Sequence, residues 1–157
     1  KVPFGRARIM ARGNDVTLVG ISQMVVECLR AQRYLCKAGI SAEVIDPVSL
    51  SPLDMDSIEK SVKKTGRLIV VDNGWVNCGA GAEIIAGLFE KRPGKIEVKR
   101  MGFVFVPCPT TPTLEKIFYP DAKKIARVAY AMLYPKKKTW VPKDNLPIEE
   151  VEFKGPF

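Results

Sequence analysis

The chain contains no histidine. That absence removes the Ser-His-Asp and Cys-His nucleophilic devices. It also removes His-containing zinc sites and the side chain most used for acid–base work near neutral pH. No apolar run approaches the roughly 20 residues needed to cross a bilayer, so no membrane span is expected. The N-terminus, Lys1-Val2-Pro3-Phe4, has neither an apolar core nor an initiator Met. It reads as a fragment or a processed product rather than a signal peptide. Cys28, Cys36, Cys78 and Cys108 fall into no CxxC spacing. Scattered thiols of this kind point to a reducing compartment, the cytoplasm or a mitochondrial matrix.

What is present is ordinary for a soluble globular protein. Hydrophobic residues make up 46% of 157 positions and charged residues 27%, enough for one domain with a real core. The net charge is +8, which can signal an acidic partner, a nucleic acid or a membrane surface. The cations are mostly dispersed in pairs such as Lys63-Lys64 and Lys99-Arg100, with one dense run at Lys136-Lys137-Lys138. Solvated surface is the simpler reading, and no nucleic-acid motif supports the sharper one.

Along the chain, Ala7–Met10 and Val16–Val19 read as strands joined by the turn Arg12-Gly13-Asn14-Asp15, and the short connection predicts an antiparallel hairpin. Ser22 is the expected N-cap of a helix reaching Ala38, with Gly39 as its stop. Ala42–Ile45 then completes a βαβ unit with parallel strands. Ser51-Pro52-Leu53-Asp54 predicts the next helix start, with Ser51 as cap, Pro52 at the first helical position and Thr65-Gly66 as the end. Leu68–Val71 is an apolar run typical of a strand buried on both faces. Asp72–Gly81 reads as a glycine-rich loop and Glu83–Glu90 as a helix broken by Pro93-Gly94. Ile96–Met101 is another strand, Val106–Pro112 is irregular because of its prolines, and Asp121–Tyr134 is a final helix. The last stretch, from Pro135 on, is expected to lie extended on a surface or to be disordered. The pattern predicts a three-layer α/β/α sandwich, with a mostly parallel five-stranded sheet and one antiparallel edge strand. The expected division is a domain over 1–134 and an extended tail over 135–157.

The loop Asp72–Gly81 carries the chemistry-bearing candidates. Gly79-x-Gly81 can bring backbone amides to an anion at a helix N-terminus, or it can serve close packing and a turn. Ile84 stands where a dinucleotide fingerprint needs a third small residue. Cys78 lies beside a helix start, which lowers a thiol pKa, but no base can be named for it. Trp75 is either a cap over the core or an interface anchor. Asp46 and Asp72, at strand ends, suit either paired acid–base chemistry or turn and cap roles.

Several phrases together resemble one family. They are Phe4-Gly5-Arg6-Ala7, DVTLVG from Asp15 to Gly20, the long run from Gly39 to Trp75, GAGAEI from Gly79 to Ile84, and Val106-Pro107-Cys108-Pro109. The chain resembles the C-terminal domain of the beta subunit of pyruvate dehydrogenase and related 2-oxoacid dehydrogenases, within the transketolase C-terminal-domain superfamily. The resemblance covers about residues 3–134. The "LSPLD…I…SV-KT" phrase followed by GAEI is its specific part.

The resemblance implies an assembly domain that is not catalytic by itself. Thiamin diphosphate and magnesium would be bound by domains absent from this chain, and no GDG…NN motif for that cofactor occurs here. An upstream pyrimidine-binding domain would supply the glutamate and the active-site histidine. The implied partners are an alpha subunit and a second beta subunit in an α2β2 heterotetramer, and a dihydrolipoyl acyltransferase core, with no nucleic acid and no membrane. Asp72, Asn73, Gly74, Trp75, Gly79, Gly81 and Glu83 are the candidate subunit interface. Lys95 is the candidate contact with the acyltransferase core. It stands where the family carries an acidic residue, so that contact is expected to be weak or differently wired, with Glu149, Glu150 and Glu152 as another acidic source. Val48-Ser49 replaces the family's Arg-Thr, and the chain continues past Tyr134, where the family often ends. The competing readings are a transketolase or deoxyxylulose-phosphate synthase C-terminal domain, and an independent module binding an acidic ligand.

Overall fold

The computed structural model describes residues 3–91, 95–137 and 139–142. Its strands are β1 (Arg8–Ala11), β2 (Val16–Gly20), β3 (Ala42–Asp46), β4 (Arg67–Trp75) and β5 (Glu97–Phe103). Its helices are α1 (Met24–Lys37), α2 (Met55–Thr65), α3 (Ala80–Lys91), α4 (Pro112–Phe118) and α5 (Ala122–Leu133). The sheet order is β1-β3-β2-β4-β5. Strands β2, β3, β4 and β5 run parallel, while β1 pairs antiparallel with β3.

Side chains that alternate along the buried strands build two cores. Val16, Leu18, Val44, Ile69 and Val71 face α1 and α5, where Cys28, Leu35, Ile125 and Ala129 meet them. Val19, Ile45, Leu68 and Val70 face α2 and α3, meeting Ile58, Val62, Ile84 and Leu88. The sheet is therefore covered on both faces, and the protein is the expected three-layer α/β/α sandwich with one antiparallel edge strand.

The expected hairpin between the first two strands does not form. Strand β1 leaves β2 and pairs with β3 instead, Arg8 opposite Asp46. The turn explains why. Asn14 and Asp15 both donate their backbone N–H to Ser41 O, at 3.0 and 2.8 Å, and the Asp15 carboxylate accepts from Ser41 N at 2.7 Å. These bonds carry the chain across the start of β3, while both edges of β2 are taken by its parallel partners.

Two helix caps also differ from expectation. Ser22 sits at φ 56 outside α1, and the N-cap position falls to Gln23, which makes no side-chain cap bond. Ser51 does not cap α2 and Pro52 lies outside the helix, because α2 begins at Met55. Asp54 is the cap. It accepts from Ser57 N at 3.1 Å, from the Ser57 hydroxyl at 2.8 Å and from Ala7 N, 47 positions away, at 3.0 Å. A carboxylate can serve all three donors at once, which a serine hydroxyl cannot. Gly39 and Gly66 end α1 and α2 as expected, both at positive φ. The Pro93-Gly94 break and the acidic residues Glu149, Glu150 and Glu152 lie outside the described residues. Of the tail, Trp140 stacks on Tyr130 with ring centroids 4.9 Å apart, and Pro142 is buried.

A buried polar network pins α2 to the sheet. The Thr17 hydroxyl lies 2.7 Å from that of Ser61 and 2.8 Å from that of Thr65. Glu43, only 2% exposed, accepts from Lys64 Nζ at 2.7 Å. Burial by itself would raise the Glu43 pKa. Hydrogen bonds from Lys64 and Ser61, the Lys64 charge and the Gly13 N–H outweigh it and hold the carboxyl below its ordinary 4.5. Asp54 is likewise raised by burial but lowered further by its bonds from Ala7 and Ser57 and by Arg6. A carboxyl with a depressed folded pKa stabilises fully above its unfolded value and loses that contribution as pH falls through the folded value. The urea midpoint of the chain should therefore hold steady from neutral pH down to about 6 and fall as pH drops through 4.5 and below. Glu43→Gln should flatten that fall, and an unchanged pH profile in this variant would remove Glu43 from the account.

Candidate functional site

The carboxyl end of the sheet gathers the candidate interface residues. Sequence patterning ends β4 at Val71, but the strand runs on to Trp75, and Trp75 pairs with Phe103 after a register shift. The supposed loop is thus half strand. A short turn over 76–79 then leads into α3, which starts at Ala80 rather than Glu83.

Each member has a definable place. Asp72 and Asn73 are half-buried, and burial pushes the Asp72 carboxyl up against a lowering bond from Asn73 N–H. Asn73 lines a cleft of about 450 Å³ with Gln23, Met24, Phe103 and Tyr119. Gly74 lies against the Asp72 carboxylate. A Cβ on Gly79 would sit 2.1 Å from Trp75 O, and one on Gly81 would touch Val70 Cγ1 at 3.3 Å. These two glycines therefore serve the turn and the packing of α3 on β4, the simpler of the two readings. Glu83 is exposed in the first turn of α3, where a carboxylate complements the helix dipole.

Trp75 divides between its two readings. It is 42% exposed and meets Phe103, Phe105 and Phe118 edge-on, at 5.9, 5.7 and 6.1 Å between centroids. Phe118 beneath it is 2% exposed, so Trp75 caps this small core with one part of its indole and shows another to solvent. Phe103 and Phe118 meet tilted, and Tyr119 meets both edge-on, to complete a five-ring cluster. Sequence reasoning missed this cluster and the helix α4 that carries part of it. The proline-rich segment reads as irregular, yet the string Phe103-Val104-Phe105-Val106 and the pair Phe118-Tyr119 were a usable signal.

The other candidates separate from this site. Lys95 lies at the opposite, amino end of the sheet, lining a shallow cleft with Gly66, Arg67 and Glu97. Asp46 accepts from Val48 N at 2.9 Å in a local turn. The whole of β2 separates its strand from that of Asp72, so the two carboxylates stand on strands that are not neighbours. Cys78 is exposed at φ 57. Cys28 is buried, and burial pushes its thiol well above the ordinary range, which keeps it protonated and inert. Among the described residues no group of His, Cys, Asp and Glu could hold a metal ion, and no helix is long and apolar enough to cross a membrane.

The three-layer fold and the order of its phrases define a known class of domain. The family described as "Transketolase, C-terminal domain" matches residues 5–125, and the chain belongs to it. Within that class its similarity is to beta subunits. It is 42% identical over 130 residues to the mitochondrial pyruvate dehydrogenase E1 component subunit beta of Pisum sativum, covering 82% of this chain and 36% of that protein. It is 39% identical over 130 residues to the acetoin:2,6-dichlorophenolindophenol oxidoreductase subunit beta of Cupriavidus necator, covering 82% of this chain and 38% of that one. Among solved structures it resembles a split-gene transketolase described as an inactive beta4 tetramer, with a TM-score of 0.77 and 26% identity over 87% of this chain and 45% of the other. The chain thus spans little more than a third of the length of the curated relatives it matches.

Proposed function

We propose that this domain holds together the thiamin-diphosphate-dependent decarboxylating component of a 2-oxoacid dehydrogenase, with pyruvate as the favoured substrate. In this reading the cofactor and its magnesium are bound by domains outside this chain. The partners are an alpha subunit and a second beta subunit in an α2β2 assembly, in the cytoplasm or a mitochondrial matrix. The 39% identity to the acetoin oxidoreductase subunit favours an oxidoreductase acting on acetoin as a second reading of the substrate, with the same assembly role. Lys95, an exposed ammonium at the amino end of the sheet, is in this account a poor partner for a basic acyltransferase surface, so that contact is weak or wired elsewhere.

The observation that carries the assembly role is the half-open Trp75 over its ring cluster. A monomer gains nothing from presenting a rigid indole to water, whereas aromatic anchors of this kind dominate interface energetics. Trp75→Ala in the full alpha–beta assembly should weaken subunit association by about 2 kcal/mol, roughly 30-fold in the dissociation constant. Analytical ultracentrifugation of the assembly measures this. An unchanged constant with the fold intact would return Trp75 to the role of a core cap.

A further inference from the structure

The Trp75 cluster does not end at Trp75. Its apolar surface continues through Phe105, 76% exposed, to Val104 and Val106, and across to Leu114 and Ile117 on α4, the last 63% exposed. Between β5 and α4 runs a groove of about 220 Å³ lined by Val76, Arg100, Val104, Ile117, Tyr119 and Lys124, with Phe118 among its apolar residues. Its charged lining residues, Arg100 and Lys124, are both cations.

Both cations are held in place. Arg100 Nη1 donates to Val76 O at 2.8 Å. Lys124 Nζ donates to the carbonyls that close α4, Lys116 O at 2.6 Å and Tyr119 O at 2.7 Å, and lies 3.4 Å from the Asp121 carboxylate. Among the described residues no carboxylate pairs with Arg100, while α4 brings an exposed cation, Lys116, beside the carboxylate of Glu115. Positioned cations beside an apolar trough lose little freedom on binding, which favours a partner that matches them.

We propose that this groove receives an apolar side chain flanked by a carboxylate, and that the donor is a different subunit rather than a second copy of this chain. The inference rests on the reading of the Trp75 surface as a subunit contact and deepens it by naming the partner's chemistry. A symmetric contact between two copies sets a patch against itself. Here that would oppose like charges on a chain that already carries +8, a juxtaposition that suppresses association. An acidic-rimmed partner satisfies Arg100 and fills the trough together.

The test places a photo-reactive phenylalanine analogue at position 117 of the chain within the intact assembly purified from its source, with cross-linked peptides sequenced by mass spectrometry. Cross-links to a different subunit, at a segment bearing Asp or Glu beside an apolar residue, are expected. Arg100→Glu should cut their yield about tenfold at moderate salt, while Arg100→Lys keeps most of it. Cross-links to a second copy of this chain would overturn the inference and leave the subunit-contact reading standing. A different subunit with no acidic residue nearby, or no response to Arg100→Glu, would overturn the stated chemistry. An intact assembly with no cross-link from position 117 would overturn the inference and count against the contact reading as well.

Discussion

Gly13→Ala should destabilise the domain by about 3–5 kcal/mol, although it adds one methyl group to a turn. A Cβ at Gly13 would lie 2.2 Å from Ala42 C, 2.4 Å from Glu43 N and 2.5 Å from Ala42 O. All three are backbone atoms of β3, which is held by β1 on one side and β2 on the other. Nothing there is the far end of a flexible side chain, so either the turn lifts away or the strand shifts. Lifting the turn breaks the bonds from Asn14 and Asp15 to Ser41 O and withdraws the Gly13 N–H from Glu43. Gly39→Ala is the control. Gly39 lies at φ +75 with nothing near its missing Cβ, so alanine there should cost only about 1 kcal/mol of backbone strain. Urea unfolding of the two variants makes the comparison. Equal midpoints would mean that Gly13 is not wedged against β3.

Phe118→Ala should lower stability by about 3 kcal/mol and release α4 first. A helix of seven residues does not persist in water on its own propensity. Leu114 and Ile117 are exposed, whereas Phe118 is deeply buried, touching Phe103, Trp75 and Tyr119. Removing the ring leaves a cavity beneath Trp75 and takes away the main reason for α4 to dock. Amide hydrogen exchange should then lose protection over Leu114–Tyr119 while β2 and β4 keep theirs. Retained protection in α4 would show that the Lys124 bonds to its closing carbonyls, and not Phe118, hold it. Because α4 forms one wall of the Arg100–Lys124 groove, the same variant should also weaken whatever binds there.

The order of the elements other than α4, and the parallel crossovers, could be read from residue patterning, because both are local properties. Leu68–Val71 is apolar on every position and therefore buried on both faces. Gly39 and Gly66 stop helices because the chain there needs a backbone that glycine adopts without strain. The family could also be read from the sequence, because its phrases are contiguous: the run from Gly39 to Trp75 and the GAGAEI that follows sit on β3, α2, β4 and the start of α3.

What only the tertiary structure decided is set by contacts between distant residues, which leave no period in the sequence. The partner of β1 depends on Ser41 gripping the turn at Asn14 and Asp15. The cap of α2 depends on Ala7 reaching Asp54. The last residues of β4 are strand because β5 runs beside them as far as Phe103. The aromatic surface is assembled from β4, β5 and α4, whose rings are near neighbours in space and up to 43 positions apart in the chain. Composition supplied those rings and the cations around them. Their convergence on one end of the sheet follows from the parallel order β2-β4-β5, which brings the ends of β4 and β5 side by side and leaves α4 to close over them.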